Sequence, residues 1–257
     1  MIVDRYNKNI VIRKINIIIV LFIILGSVSA QDRYASFPKW IESLPEYGIN
    51  GMQNSVTNKS NLMILGTVGL GTLLAYHFDD QFQDYSQREG LLPKNVSKFG
   101  NLYGGVWSGW LLPVSIIITS KAGSDSNREM LEELEFATSA LLANGLTTII
   151  LKRLIGRERP NGSSNHSMPS GHTSHSFAVA AVANELYGQK IGTVAYLIAG
   201  IVAISRINDN VHYLSDVIFG AGLGTIIGRG FAKTYREKKY IPHATNNGLS
   251  LNITFDL

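Results

Sequence analysis

Three short polar blocks interrupt an otherwise apolar stretch in the C-terminal half of the chain, and they constrain the fold more than any other feature. The blocks are residues 152–160, residues 169–172, and the set Ser205, Arg206, His212 and Asp216. The segments between and around them are mostly apolar and predict helices. The polar residues would therefore lie at helix ends, where several of them can converge on one pocket.

The residue types in these blocks are those that bind an anion. Phosphate is held in proteins by cations, by backbone N–H donors and by the N-terminus of a helix. Ser170 and Gly171 stand at the start of an apolar run, so they offer a hydroxyl group and a backbone without a side chain at a helix start. The candidate cations are Lys152, Arg159 and Arg206.

Two histidines complete the set. His212 and Asp216 are four residues apart, which on a helix or its first turn places them on one face. The carboxylate would then hold the imidazole in one tautomer, as a nucleophilic histidine requires. His172 would be free to protonate a leaving oxygen.

In this order and spacing the blocks resemble the tripartite motif of the type 2 phosphatidic acid phosphatase family, which includes class A acid phosphatases and vanadium-dependent haloperoxidases. The motif is Lys, six residues, Arg-Pro; then Pro-Ser-Gly-His; then Ser-Arg, five residues, His, three residues, Asp. The sequence meets all of it, over about the C-terminal half. Together with the helical segments, the resemblance implies an all-α bundle with its catalytic groups gathered at one end.

The resemblance also implies a role for each residue. The phosphate oxygens would be bound by Lys152, Arg159, Ser170, the amide of Gly171 and Arg206. His212 would attack phosphorus to form a phosphohistidine, Asp216 would orient it, and His172 would protonate the leaving alkoxide and then activate water. No metal or other cofactor is required, because three fixed cations do the electrostatic work that Mg²⁺ does in kinases.

Residues 1–30 predict a secretory signal peptide, with a signal anchor as the alternative. A basic segment is followed by an apolar core at residues 15–25 and by Val28, Ser29 and Ala30, a small-residue cleavage site. These residues hold four of the 23 basic and one of the 19 acidic side chains. The pI near 9.2 therefore belongs largely to this segment, so it lends little support to nucleic-acid binding.

The remaining chain divides into three parts. Residues 31–60 predict loops or short surface helices, residues 61–232 the helical domain, and residues 233–257 a basic tail with a strand at 248–257. Within the domain, the carboxylates of residues 79–84 favour a solvated connector over a cation site. A helix capped by Ser126 or Asn127 would lead to the first block, and a later one would end at Gly188. The last helix offers a small-residue face for close packing, made of Gly220, Gly222, Gly224 and Gly228.

Composition favours a membrane-associated chain or an unusually apolar helical one. Hydrophobic residues make up 45% of the chain and charged residues 16%, against roughly 25% charged in soluble domains. Most apolar segments are shorter than the roughly 20 residues that a span needs. The basic tail would place the C-terminus in the cytoplasm and the third block outside, whereas counting segments from a cytoplasmic N-terminus places the first block inside. We expect an exported envelope protein whose site faces the periplasm, either integral to the membrane or soluble.

The sequence therefore predicts a metal-independent phosphatase of phosphomonoesters or diphosphates, with a phosphorylated lipid as substrate. A soluble periplasmic acid phosphatase of broad specificity is the main alternative. A vanadium haloperoxidase is disfavoured because that branch generally has longer chains, and an inactive scaffold because the motif is intact.

His166 is expected in solvent and His175 in packing. Asp209, between Arg206 and His212, would either point to solvent or bias the site against highly charged substrates. The oligomeric state does not follow from the sequence.

Overall fold

The computed structural model describes residues 39–123 and 126–240, together with two short strands. The described residues from Leu44 onward belong to one compact unit. The helices are α1 Lys39–Thr57, α2 Lys59–Glu89, α3 Lys94–Leu102, a π-helical turn Tyr103–Trp107, α4 Ser108–Gly123, α5 Asn127–Ile155, α6 Gly171–Asn208 and α7 Leu214–Tyr240. Strands β1, His243–Thr245, and β2, Gly248–Ser250, pair antiparallel. The all-α prediction is confirmed, while the predicted signal peptide and residues 251–257 of the predicted strand lie outside the described residues.

Helix α5 begins and ends as its sequence predicts. Ser126 is the N-cap: its side chain accepts a hydrogen bond from the amide of Glu129, and the Glu129 carboxylate accepts one from the amide of Ser126. This reciprocal pair satisfies two amides that the helix leaves unpaired. At the other end, Gly156 has φ 60° and ψ 27°, in the left-handed region that favours glycine at a helix C-terminus. The chain therefore leaves α5 directly into the first polar block.

Helix α6 is a hairpin of two antiparallel arms. Gly188 has φ 78° and ψ 175°, so the helix breaks at the residue where the sequence predicts a stop. Beyond the break the second arm packs back along the first, since the rings of Phe177 and Tyr196 lie 5.8 Å apart. The hairpin therefore returns the third block to the level of the second.

Glycines allow α7 to approach its neighbours closely. A Cβ atom at Gly220 would lie 2.8 Å from the carbonyl oxygen of Ser170. Gly224 and Gly228 meet the first arm of α6 in the same way, and Gly222 meets Val68 of α2. The predicted small-residue face is therefore present, and it brings the start of α7 against the start of α6.

Helix α2 is continuous, which contradicts the connector predicted at residues 79–84. Its buried positions include Asp79 and Gln83. The opposite face exposes large apolar side chains, with Leu70 67% and Leu73 71% exposed. This pattern inverts that of a helix in a water-soluble bundle. Local charge density misled the sequence interpretation, because Asp80 and Asp84 are exposed while Asp79 points inward.

Four segments of the described chain are helical and long and apolar enough to cross a membrane. They are Lys59–Glu89, Lys94–Gly123, Asn127–Ile155 and Gly171–Asn208, and the last of these holds both arms of the hairpin. Large apolar side chains on them are exposed. The basic residues of the predicted tail from Lys233 to Lys239 lie within α7, so this helix extends beyond the predicted boundary at residue 232.

Candidate active site

The three polar blocks meet at one end of the bundle. The C-terminus of α5, the loop of residues 156–170, both ends of α6 and the N-terminus of α7 all contribute. Two contacts join these elements: the amide of Ser170 donates to the carbonyl of Asp216 over 3.0 Å, and the amide of His212 donates to the carbonyl of Arg206 over 3.3 Å. The residues that the sequence nominated are thus gathered in one place.

His212 and Asp216 are paired, as the sequence analysis predicts, through Nδ1 of the imidazole ring. Nδ1 of His212 lies 3.6 Å from Oδ2 of Asp216, and the hydroxyl of Ser167 lies 3.5 Å from the same Nδ1. Only 2% of His212 is exposed. With Nδ1 directed at the carboxylate, Nε2 is the ring nitrogen left to act as a nucleophile.

Asp216 is fully buried and its carboxylate is saturated with donors. Oδ2 accepts hydrogen bonds from the hydroxyl of Ser167 at 2.5 Å and from the amide of Tyr213 at 2.9 Å, while Oδ1 accepts one from Arg157 at 2.9 Å. The hydrogen bond from Ser167 and the positive charge of Arg157 stabilise the ionised form of this carboxyl. Asp216 is therefore a fixed negative charge beside His212.

The environment of His212 keeps its imidazole neutral. Burial, together with the nearby charges of Lys152 and Arg159, lowers the pKa of His212 to about 4, against the opposing effect of Asp216. A neutral ring has a free lone pair at neutral pH, as nucleophilic attack requires.

Lys152 is held at the start of α6 by the loop between the first two blocks. Its Nζ donates to the carbonyls of His166, at 2.5 Å, and Ser167, at 3.2 Å. A Cβ atom on Gly171 would lie 3.7 Å from Cε of Lys152. The ammonium group therefore lies beside the amides that open α6. The side chain of His166 itself is exposed, as predicted.

Arg159 carries a buried donor that is not satisfied by the protein. Its backbone is fixed by a tight turn, in which its amide donates to Ser164 and its carbonyl accepts from Gly162. Its Nε atom is buried and has no hydrogen-bond partner among the described residues. Leaving a buried guanidinium nitrogen unpaired costs free energy, so this donor is suited to an anionic ligand.

Arg206 is held by three neighbours, one of them a carboxylate. Nε donates to Ser205 at 3.2 Å, Nη1 to Asn101 at 2.9 Å and Nη2 to Asp209 at 2.5 Å. Asp209 also accepts a hydrogen bond from Ser97 of α3 at 2.5 Å. Asp209 is therefore an ion-pair partner of Arg206, and it offsets part of the positive charge of the site.

Ser170 and Gly171 open α6, as the sequence predicts. Ser170 is fully buried, and its hydroxyl accepts a hydrogen bond from Thr173 at 3.0 Å. Its side chain makes no capping bond to the helix. The first amides of α6 lack carbonyl partners within the helix and lie at the positive end of its dipole. This helix start therefore contributes donors that suit phosphate.

The π-helical turn approaches His172 through glycines. A Cβ atom at Gly105 would lie 2.8 Å from Nε2 of His172, and one at Gly104 would lie 3.1 Å from its Cβ. His172 interacts electrostatically with Arg206 and His212, so it belongs to the same cluster. His175, one turn further along α6, lies against Gly109 of α4, where it packs between helices as predicted. Short π-helical segments are frequent at functional sites.

Several residues that hold the site were not singled out by the sequence analysis. Arg157 lies within the first block, yet it bonds to Asp216 and to Asp79 of α2 rather than standing free. Asn101, Ser167 and Ser215 fix Arg206, Asp216 and Asp79. Of these residues, only Arg157 could have been identified from the sequence, because it lies inside the first motif block. Within the described part of the chain, no group of three His, Cys, Asp or Glu residues is arranged to hold a metal ion.

Comparison with known proteins establishes the family. The model of the PAP2 superfamily matches residues 133–240, which contain all three blocks. Phosphatidylglycerophosphatase B of Bacillus subtilis is 32% identical over 156 residues, which cover 51% of this chain and 73% of that protein. The chain belongs to the PAP2 superfamily, and the resemblance noted in the sequence is confirmed.

Two further comparisons extend this assignment. Lipid A 1-phosphatase of Porphyromonas gingivalis is 40% identical over 80 residues, which are 30% of this chain but only 18% of that protein. The crystal structure of a transmembrane PAP2 type phosphatidylglycerolphosphate phosphatase from Bacillus subtilis aligns with 67% of this chain and 95% of that one, at 23% identity and a TM-score of 0.51. The structural likeness shows a shared fold.

Proposed function

We propose that the protein is a membrane phosphatase that hydrolyses the phosphomonoester or diphosphate group of a lipid. The observation that carries this proposal is the burial of His212 in its neutral form between the carboxylate of Asp216 and the cations Lys152 and Arg159. A neutral histidine beside fixed cations is suited to attack a phosphoryl group, and the cations stabilise the charge that develops on its oxygens.

The reaction would proceed in two balanced steps. Nε2 of His212 attacks phosphorus, the P–O bond to the leaving group breaks, and His172 gives its proton to the leaving oxygen. His172 then removes a proton from water, whose oxygen attacks phosphorus while the P–N bond breaks, and inorganic phosphate leaves. Asp216 keeps Nδ1 protonated in both steps and stabilises the positive ring of the phosphohistidine.

Five groups would bind the phosphoryl oxygens throughout: Lys152, Arg159, Arg206, Ser170 and the amide of Gly171. Their combined charge and donors supply the electrostatic stabilisation that other phosphoryl-transfer sites take from Mg²⁺. We therefore propose that turnover needs no metal ion. The unpaired Nε of Arg159 supports this set of ligands.

The lipid assignment is supported by the outward face of the bundle and by the relatives. Four helical segments are long and apolar enough to cross a membrane, and two of the matching proteins are named for lipid-borne phosphates. A substrate anchored in the bilayer would reach a site at the ends of these helices without leaving the membrane surface.

We propose that the site faces the periplasm. The basic residues of the last turns of α7, among them Arg236 and Lys238, lie at the opposite end and favour the cytoplasmic side. If α7 crosses as well, α2 to α7 make six passes, which bring the start of α2 to that same cytoplasmic side.

Orientation is open to direct measurement because the sequence contains no cysteine. We expect Asn161→Cys, in the exposed loop of the site, to react with a membrane-impermeant maleimide in spheroplasts, which give the reagent access to the periplasmic face. Arg128→Cys, at the opposite end of α5, should react only after lysis. The reverse pattern would place the site in the cytoplasm and leave its chemistry unchanged.

The activity is tested with purified protein in detergent and excess chelator. We expect phosphate release from phosphatidate and from a polyprenyl diphosphate to exceed that from a soluble aryl phosphate. Equal or faster hydrolysis of the aryl phosphate would favour the broad-specificity acid phosphatase, and loss of activity in chelator would show that a metal is needed.

We expect His212→Ala to lower kcat by about 10⁴-fold or more and to abolish an acid-labile phosphoenzyme trapped from labelled substrate. Activity near that of the wild type would rule out His212 as the nucleophile.

A further inference from the structure

Asp79 is a buried carboxylate on α2 that the chemistry described above does not use. It is 2% exposed, although it lies in a segment whose neighbouring carboxylates, Asp80 and Asp84, are exposed. Burying a carboxylate is costly unless every lone pair is engaged. The groups that donate hydrogen bonds to Asp79 therefore indicate which part of the structure it stabilises.

All three hydrogen bonds that Asp79 accepts lead to the active site. Oδ1 accepts from the amide of Ser215 at 2.9 Å, and Oδ2 accepts from the hydroxyl of Ser215 at 2.5 Å and from Nη2 of Arg157 at 2.7 Å. Ser215 is the residue just before Asp216 and lies in the first turn of α7. A first-turn amide has no carbonyl partner within its own helix, so Asp79 satisfies from α2 a donor that α7 cannot.

Arg157 joins this carboxylate to the one beside the nucleophile. Its Nη1 donates to Oδ1 of Asp216 at 2.9 Å and to Ser215 at 2.6 Å, while its Nη2 donates to Asp79. The guanidinium carbon lies 4.7 Å from the ring centroid of Tyr76 and 4.0 Å from that of Tyr213. The planar group is therefore fixed both in its plane, by two carboxylates, and perpendicular to it, by two rings.

This arrangement determines how Asp216 presents its charge. With Oδ1 engaged by Arg157, the carboxylate is held with Oδ2 toward Nδ1 of His212. Without Asp79, the fork of Arg157 would lose one of its two anchors and the first turn of α7 would lose an acceptor. Either loss would let the carboxylate of Asp216 turn away from His212.

We propose that Asp79 is a positioning residue of this site, which acts through Arg157 and Ser215 to fix the carboxylate of Asp216 against His212. The inference rests on the proposed function, since it concerns the same reaction. It adds α2, which contributes none of the three motif blocks, to the elements on which the rate depends.

The first test is Asp79→Asn, which keeps the size of the side chain and removes its charge. We expect kcat to fall roughly 10-fold to 100-fold, as for other small misplacements of reacting groups, with KM within about twofold of the wild type. Asp84→Asn makes the same change on an exposed turn of the same helix and should leave both constants unchanged. Phosphate release by the wild type and none by His212→Ala establishes the proposed function separately.

The second test separates positioning from a general loss of packing by means of the pH profile. The charged or titratable groups around His212 are Lys152, Arg159, His172 and Asp216. Arg157→Gln removes the positive charge but keeps an amide that can donate to Oδ1 of Asp216, so the carboxylate should stay in place and attract the proton of His212 more strongly. The acid limb of kcat/KM should therefore move to higher pH, whereas Arg157→Lys, which keeps the charge, should leave it in place.

Two results would overturn the proposal. One is a kcat of Asp79→Asn within twofold of the Asp84→Asn control while His212→Ala is inactive, because the site would then work without this anchor. The other is an unmoved acid limb in Arg157→Gln, which remains decisive if the Asp79 variant does not fold.

Discussion

Both ends of the bundle carry positive side chains, and the two ends differ in how some of these charges are paired. At the end away from the site, Arg236 pairs with Glu185, and Lys238 pairs with the buried Glu135 at 2.7 Å. At the site, the Nε atom of Arg159 is buried without a partner in the described chain.

The difference shows that charge in this protein has two distinct roles. Paired charges join helices: Lys238 ties α7 to the start of α5, and Arg236 ties it to the bend of α6. Charges left incompletely paired cost stability and are expected where a ligand supplies the missing partner. Arg157 and Arg206 are the informative exceptions, because both lie at the site yet are ion-paired, as the charges of the far end are.

Among the variants that compare the two ends, the largest effect should come from Arg159, whose buried Nε atom has no partner in the described chain. We expect Arg159→Gln to lower kcat/KM about 10²-fold to 10³-fold, as removal of one oxyanion-stabilising donor does elsewhere. Arg236→Gln, which removes an arginine from the opposite end, should leave turnover unchanged. Phosphate release from a lipid substrate measures both. Equal losses in the two variants would mean that the ends do not differ in function.

The next largest effect on turnover is expected at Gly105, which lets the π-helical turn approach His172. Gly105→Ala would place a methyl group 2.8 Å from Nε2 of His172, so the ring must move, and we expect kcat to fall roughly 10-fold to 100-fold. Gly69→Ala on α2 has no neighbour within 4 Å and serves as the control. If the kinetics of Gly105→Ala match those of the control, His172 tolerates displacement and its role as the acid is in doubt.

The pH dependence tests the neutral state of His212. A pKa of about 4 places its protonation well below the ordinary value near 6.5. The limb of kcat/KM that belongs to His212, after correction for substrate ionisation, should therefore fall near pH 4. Between pH 6.5 and 4 the unfolded chain takes up a proton that the folded protein does not, so the free energy of unfolding should decrease as pH falls through this window. A limb near pH 6.5 would contradict the buried, neutral ring.

The smallest effect on turnover is expected at the far end, where the consequence is stability. Lys238→Met removes a hydrogen bond to Glu135, which is 5% exposed, and should lower the free energy of unfolding by about 1–3 kcal/mol without changing kcat. Lys233→Met breaks an exposed pair with Glu237 and should cost less than about 1 kcal/mol. Thermal unfolding in detergent compares them, and a fall in kcat per folded molecule would show that the two ends are coupled.

Local patterns predicted the parts of the fold that local physics controls. The cap at Ser126 and the break at Gly188 each depend on a few neighbouring residues, so both could be predicted from the sequence. The three blocks were equally readable, because the spacing within each block sets its geometry. Their convergence is confirmed by the structure, whereas the chemical role of each residue is still a prediction.

Features that depend on contacts between distant segments were not predictable in this way. Asp79 looked like its exposed neighbours because its partner, Arg157, is 78 residues away and nothing nearby marks it as inward-facing. Asp209 left two interpretations open, since only the tertiary structure brings it to Arg206. The boundary of α7 was placed too early because charged residues were taken as a tail, while several of them pair along or across helices.

Because α6 bends at Gly188, the two arms that connect the second and third blocks must have matching lengths. Removing one residue from a single arm would rotate everything beyond it by about 100° and shift it by about 1.5 Å, so that His172 and Arg206 would no longer converge. Removing the same number of whole turns from both arms would shorten the hairpin and leave the two residues together. Related chains adapted to thinner or thicker bilayers should therefore differ in this stretch by paired insertions or deletions, although none of the residues involved takes part in the chemistry.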